Sequence, residues 1–228
     1  MNIAIIPARG GSKRIPRKNI KIFYGKPIIA WSIELALKSK CIDRVVVSTD
    51  DDEISRIAKS YGAEVPFFRP DELSNDVTPT VPVIAHAVNK LRNLGWVLDY
   101  VCCVYPCAPL ITPVEIESVY DELISKDNLF AYPVIKYPHP IQRAMKMKKT
   151  KKMVFFYPEY ELTRTQDLED TFHDSGQFYW GTADAWSDKK KMHTDGIGVE
   201  IDSWKVVDID NQEDWIRSEL IKKSLQSL

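Results

Sequence analysis

Residues Ile3 to Asn19 read I-A-I-I-P-A-R-G-G-S-K-R-I-P-R-K-N. The apolar run Ile3 to Ile6 has the character of a buried first strand, and the glycine-rich, basic segment Pro7 to Asn19 leaves its end. Such a loop is suited to phosphates. Gly10 and Gly11 lack side chains, so the backbone can take unusual dihedrals and bring its N–H groups close to an anion. Arg9, Lys13, Arg14, Arg17 and Lys18 add positive charge, and no Asp or Glu precedes Glu34, in a chain whose formal net charge is -1. At ~4 Å and an effective dielectric of ~20, each charge pair is worth roughly 4 kcal/mol before desolvation, enough for two or three such groups to hold a triphosphate.

Two commoner phosphate loops are excluded. A Walker loop needs a glycine five residues before its Gly-Lys pair, and before Gly25-Lys26 that position is Ile20, with Pro27 where Ser or Thr belongs. The dinucleotide pattern G-x-G-x-x-G is also absent, which disfavours a dehydrogenase.

With 228 residues and 44% hydrophobic content, one sizeable core is expected, in a single domain spanning 1–228. The near-neutral charge argues against a nucleic-acid partner. No apolar run approaches the ~20 residues of a membrane span, and the chain enters directly into a strand, so the expectation is a cytoplasmic protein with no membrane partner. Cys41, Cys102, Cys103 and Cys107 form no C-x-x-C pair and read as free thiols. The run Lys146, Lys148, Lys149, Lys151 and Lys152 reads as a hairpin turn with its lysines in water.

Apolar runs alternate with helical patterns through the first two-thirds of the chain, the mark of an α/β fold with a mostly parallel sheet flanked by helices. Strands are expected at 2–6, 45–47, 64–68, 99–104 and 129–134, and helices from Pro27 to Lys38, from an Asp50 cap to Ser60, from Thr80 to Leu94 and from Pro113 to Ile124. From Tyr137 to Gly176 the pattern changes to prolines, the lysine turn and an antiparallel alternation, a small extension from the main sheet. Strands at 177–180, 198–201 and 205–209, a short helix near 182–189 and a final helix from Gln212 complete the order. His139 and His193 fall in no pattern, and His86 reads as a packing residue.

Asp208 and Asp210 stand two apart at the end of the expected strand 205–209, so their carboxylates should project to one side. Such a pair suits either a solvated strand edge or Mg²⁺, which takes a few hard oxygens and keeps several waters.

Several segments carry a resemblance. The string IPARGGSKRIPRKN (6–19) resembles the signature of the CMP-sugar-acid synthetases, cytidylyltransferases that activate N-acetylneuraminate and related nonulosonic acids. VSTDDDEI (47–54), FRPDELSND (68–76), FHDSGQFYWG (172–181) and VDIDNQEDW (207–215) match in register along almost the whole chain, and HDSGQFYWG is similar to the pseudaminate branch. The resemblance implies a Rossmann-like nucleotidyltransferase fold whose 137–176 extension lies across a partner subunit in a homodimer. It implies transfer of CMP from CTP to the anomeric hydroxyl of a nine-carbon 2-keto sugar acid, most closely pseudaminic acid, in glycan synthesis, with pyrophosphate released. CMP-legionaminate and CMP-N-acetylneuraminate synthesis are the alternatives within the class. A nucleotide-binding module without turnover is the alternative outside it, and retention of both aspartates argues against that.

By the same resemblance, Asp208 and Asp210 hold Mg²⁺. Arg9, Lys13 and Lys18 stabilise the leaving pyrophosphate, while Ala8, Gly10, Gly11, Ser12, Asn19, Arg69 and Thr80 join them around the nucleotide. The acceptor draws on Tyr105, Arg164, Gln166, His173, Asp174, Gln177 and Tyr179. The neuraminate enzymes carry glutamine where Tyr105 stands before Pro106, a departure that implies an acceptor with a less polar face. From spacing alone, Arg69 and Asp76 could equally form a structural ion pair.

Overall fold

The computed structural model describes residues 1–225. Strand β1 (Ile3–Pro7) runs into the basic loop, after which the two-residue strands β2 (Ile22–Phe23) and β3 (Lys26–Pro27) form a hairpin. Both of its turn residues, Tyr24 and Gly25, have positive φ, as a twisted two-residue turn demands. There follow α1 (Ile28–Lys38), β4 (Arg44–Ser48), α2 (Asp52–Ser60), α3 (Thr80–Asn93), β5 (Tyr100–Val104), α4 (Pro113–Ser125) and β6 (Phe130–Lys136). The remainder comprises β7 (Met145–Met147), β8 (Met153–Phe155), β9 (Phe172–Asp174), β10 (Phe178–Thr182), α5 (Ala183–Ser187), β11 (Gly196–Glu200) and α6 (Gln212–Leu225).

The main sheet has the order β11-β6-β10-β5-β1-β4, with β9 attached to β6. β1 pairs in parallel with β4 and β5, and β11 in parallel with β6, while β10 runs antiparallel between β5 and β6. The period-2 alternation of the strands splits the core between two faces. Ala4 and Ile6 of β1 pack with Ile33 of α1, Ile54 of α2 and Val119 of α4. Ile3 and Ile5 pack instead with Ile84 and Val88 of α3 and Trp186 of α5. Strands covered on both faces become continuous apolar runs, which is why IAII, RVVVS and YVCCV lack polar alternation. No helix among the described residues is long and apolar enough to cross a membrane.

Most expected elements form within a few residues of their anticipated bounds, and the lysine run does close a hairpin, β7 with β8. The cysteines are free, three of them buried. Three expectations fail. The cap of α2 is Asp51, whose side chain accepts from the Ile54 N–H, whereas Asp50 turns towards the basic loop. Segment 64–68 makes only the isolated bridges Val46–Glu64 and Thr49–Phe68, because Pro66 between them has no N–H to donate. Segment 205–209 is not a strand. Its carbonyls take side-chain donors instead, Gln177 Nε2 at Val207 (3.3 Å) and Lys18 Nζ at Ile209 (2.6 Å).

Candidate active site

The parallel strands β1, β4 and β5 end at a common edge, and the loops leaving them enclose a cleft of about 520 Å³. Arg9, Ser12, Lys13, Arg14, Lys18 and Asn19 line it from the basic loop. Arg69, Asp76 and Thr80 line it from the segment leading into α3, and Tyr105 and Cys107 from the end of β5. Gly176, Asp208 and Asp210 close the opposite side.

The loop is held from several directions. Ala8 extends the β1–β4 ladder through its N–H to Ser48 O (2.9 Å), and the Gly10 N–H reaches Asp50 Oδ1 (3.0 Å). Arg17, left-handed at φ 55, sends its guanidinium to Asp51 and Glu53. That contact holds the Asp51 carboxyl down at about 2. Asn19, buried, donates to Arg9 O (2.9 Å) and fixes the loop's two ends together.

The basic side chains that remain meet carboxylates across the cleft. Arg9 Nη1 and Lys13 Nζ lie 2.6 and 2.5 Å from Asp76, and Arg14 Nη1 lies 2.8 Å from Asp210 Oδ2. Lys18 Nζ, bonded to Ile209 O, is 3.7 Å from Asp210 Oδ1. Asp208 has a raised pKa, through partial desolvation first and the neighbouring Asp210 charge second. Two carboxylates that repel in this way gain from a shared cation, and their hard oxygens suit a divalent one. Asp214 accepts the N–H groups of Asp210 and Asn211 at Oδ2 and so shapes the turn that carries the pair. Gly176, at φ +64, leaves the space above Asp208 open.

Arg69 is 5% exposed, and its Nη2 has no hydrogen-bond partner, the nearest carboxylate being Asp50 at 3.7 Å. It pairs with no Asp76 oxygen, so the ion pair weighed from spacing does not form; Asp76 serves the loop instead. Arg69 thus lines the cleft with a buried guanidinium that keeps one donor unmatched, its Nε going to Ser74 Oγ (3.1 Å). Thr80 Oγ1 meets the Tyr105 hydroxyl at 2.6 Å.

Two further cavities adjoin the cleft. One, about 680 Å³, shares Gly176 and Asp208 with it and is lined by His173, Asp174, Trp204 and Arg217. The other, about 590 Å³, shares Thr80 and Tyr105 and is lined by Asp174, Tyr179, Met192 and His193.

Several residues singled out from sequence sit elsewhere. Ala8 is a core residue whose N–H is already committed. Gly10 and Gly11 have ordinary negative-side backbone, and Gly10 is required by crowding, because a Cβ there would lie 2.6 Å from Asp51 Oδ2. Gly11 is exposed and unobstructed. Gln177 is buried, its amide spent on the carbonyls of Ser175, Gly176 and Val207. Arg164 and Gln166 lie on an exposed turn of the extension, Arg164 paired to Asp167 (2.8 Å), and line none of the three cavities. Arg14, counted from the sequence only among the loop's cations, lines the cleft too, as do Asn75 and Thr78, while Met192 and His193 line the cavity beside it. For Arg14 the signal was its place in the basic run; for Met192 and His193 no local signal exists.

The sheet thus brings a basic loop and a pair of aspartates to face each other across one cleft. The fold is similar to that of a solved CMP:2-keto-3-deoxy-manno-octonic acid synthetase complexed with CTP, with a TM-score of 0.71 at 16% identity, covering 100% of this chain and 99% of that one. The chain belongs to the cytidylyltransferase family, whose model matches residues 3–194. It is 43% identical over 185 residues to the pseudaminic acid cytidylyltransferase of Campylobacter jejuni serotype O:2, covering 81% of this chain and 80% of the relative. It is 39% identical to the protein of the same description from serotype O:23/36, covering 93% and 92%.

Proposed function

We propose that this enzyme transfers CMP from CTP to the anomeric hydroxyl of pseudaminic acid and releases pyrophosphate. The observation that carries the reading is that Arg14 and Lys18 of the basic loop reach Asp210 within one cleft, so phosphate-binding and metal-binding groups face the same volume. The curated relatives supply the acceptor.

Asp208 and Asp210 would hold Mg²⁺, which supplies neutralisation of charge on the transferring phosphate. Arg9 and Lys13, now paired with Asp76, and Arg14 and Lys18, now near Asp210, would hold the phosphate oxygens of CTP. These cations serve the reaction most as charge develops on the leaving pyrophosphate. Arg69 gives its spare Nη2 hydrogens to the nucleotide. Ser12 and Asn19 line the phosphate side, and Thr80 and Tyr105 form the wall between nucleotide and acceptor. No side-chain base for the sugar hydroxyl is assigned. The protein acts as a homodimer in the cytoplasm, with the 137–176 extension, and hence Arg164 and Gln166, reaching the partner.

The test is to supply CTP, Mg²⁺ and each of pseudaminic, legionaminic and N-acetylneuraminic acid and to follow CMP-sugar by mass. Product from pseudaminate in preference to the others is expected. Product from neuraminate alone contradicts the acceptor, and no product from any acid contradicts the activity.

A further inference from the structure

Asp208 stands between Val207 and Ile209, two buried residues that pack with Phe23, Leu110 and Trp215. The segment belongs to no strand, so no sheet ladder fixes its peptide planes. Side chains grip its carbonyls instead. Ile209 O accepts from Lys18 Nζ, and Val207 O, on the peptide that leads into Asp208, accepts from Gln177 Nε2.

Gln177 can hold that carbonyl because its own backbone is anchored. Its C=O accepts the Tyr105 N–H (2.8 Å), which continues the pairing of β10 with β5, and the residue is 2% exposed. Nε2 lies 3.2 Å from Ser175 O, 3.3 Å from Gly176 O and 3.3 Å from Val207 O. Three carbonyl oxygens around one end of an amide require that end to be the nitrogen, since an oxygen there would face only acceptors. Two of the contacts stay within the turn before β10. The third crosses 30 positions to the residue before Asp208. The same turn brings Gly176 beside the carboxylate, where an added Cβ would lie 3.9 Å from Asp208 Oδ2.

A planar peptide pinned at its carbonyl oxygen fixes the orientation of the Cα that follows, and with it the direction of that residue's side chain. Gln177 therefore links the β5 edge of the sheet to the aspartate that faces the cleft.

We propose that Gln177 is a positioning residue for Asp208: by holding the Val207 carbonyl, its amide aims the Asp208 carboxylate at the divalent cation, and it does not touch the sugar acid. The assignment rests on the metal reading above and moves Gln177 from the acceptor, where the sequence placed it, to the support of the metal site.

The test measures binding of Mn²⁺–CTP to the full chain by water-proton relaxation, and of CTP without divalent ion by calorimetry. Gln177→Met and the isosteric Gln177→Glu both remove the donor. Each should weaken Mn²⁺–CTP binding by about tenfold or more, the usual effect of losing an outer contact of a metal ligand, while affinity for CTP alone and KM for pseudaminate at saturating Mg²⁺ stay within about twofold. Val119→Ala, a truncation in the core under α4, lowers stability through packing alone and should leave Mn²⁺–CTP affinity unchanged. Unchanged Mn²⁺–CTP affinity in the folded Gln177 variants overturns the assignment, and a raised KM for pseudaminate alongside it returns Gln177 to the acceptor. Equal loss in Val119→Ala overturns it as well. If Gln177→Met does not fold, as thermal unfolding will show, Gln177→Glu decides; failure of both to fold makes Gln177 a residue of the core alone and overturns the positioning role. A wild type that binds Mn²⁺–CTP no more tightly than CTP contradicts the metal reading itself, and this assignment with it.

Discussion

Single positions show which physical demand the chain answers where two are possible. Gly10 looks like a phosphate-contacting glycine, yet its backbone is ordinary and its lack of a side chain serves the approach of Asp51. Gly10→Ala should therefore destabilise the fold by roughly 1–3 kcal/mol, the usual cost of overpacking, which urea or thermal unfolding will measure. A purely ligand-binding glycine would lose CTP affinity with stability unchanged. Arg69 makes the opposite case. Its Nη2 makes no hydrogen bond within the protein, with Asp50 3.7 Å away, so Arg69→Met should weaken CTP binding by about tenfold or more, read by calorimetry without acceptor. The charged site residues were legible because their types carry their chemistry: Arg9, Lys13, Lys18, Asp208 and Asp210 all line the cleft. Ala8 and Gln177 were not, because a side chain's direction depends on neighbours that a linear motif does not display.

Among the elements, α2 couples the phosphate loop to the scaffold. Asp51 caps it and at the same time receives Arg17, so its folded pKa lies at about 2 against an ordinary 3.8. A depressed carboxylate contributes stability that is fully present above about pH 4 and lost as pH falls towards about 2. With Arg17 40% exposed, solvent screening discounts that contribution to roughly 1–2 kcal/mol. Urea midpoints measured from about pH 5 down to about pH 2 should fall more steeply for the wild type than for Asp51→Asn, and equal slopes would contradict the linkage. Strand and helix existence was legible wherever apolar period and end signals agreed, as in Arg44–Ser48 and in Pro113–Ser125, which opens on a proline. Segment 205–209 was misread because Val206, Val207 and Ile209 are as apolar as a strand while their segment's carbonyls bond to Gln177 and Lys18 side chains.

For the molecule as a whole, the alternation of strand and helix foretold the mostly parallel sheet, whereas the antiparallel insertion of β10 between β5 and β6 has no local signature. The extension leaves Met145, Met147, Phe156 and Leu162 exposed, with Leu162 at 95%. A dimer formed through this surface should appear by light scattering, and Met147→Asp with Phe156→Asp should shift it to monomer; a wild type that is monomeric at tens of micromolar contradicts the proposal. The central claim, that the basic loop and the aspartate pair act on one nucleotide, is tested most directly by the Asp208→Asn enzyme. Given CTP, Mg²⁺ and pseudaminic acid, it should retain the fold and form CMP-sugar at least about a thousandfold more slowly than the wild type, as expected when charge neutralisation at the reacting phosphate is lost. Turnover at the parent rate would contradict the account.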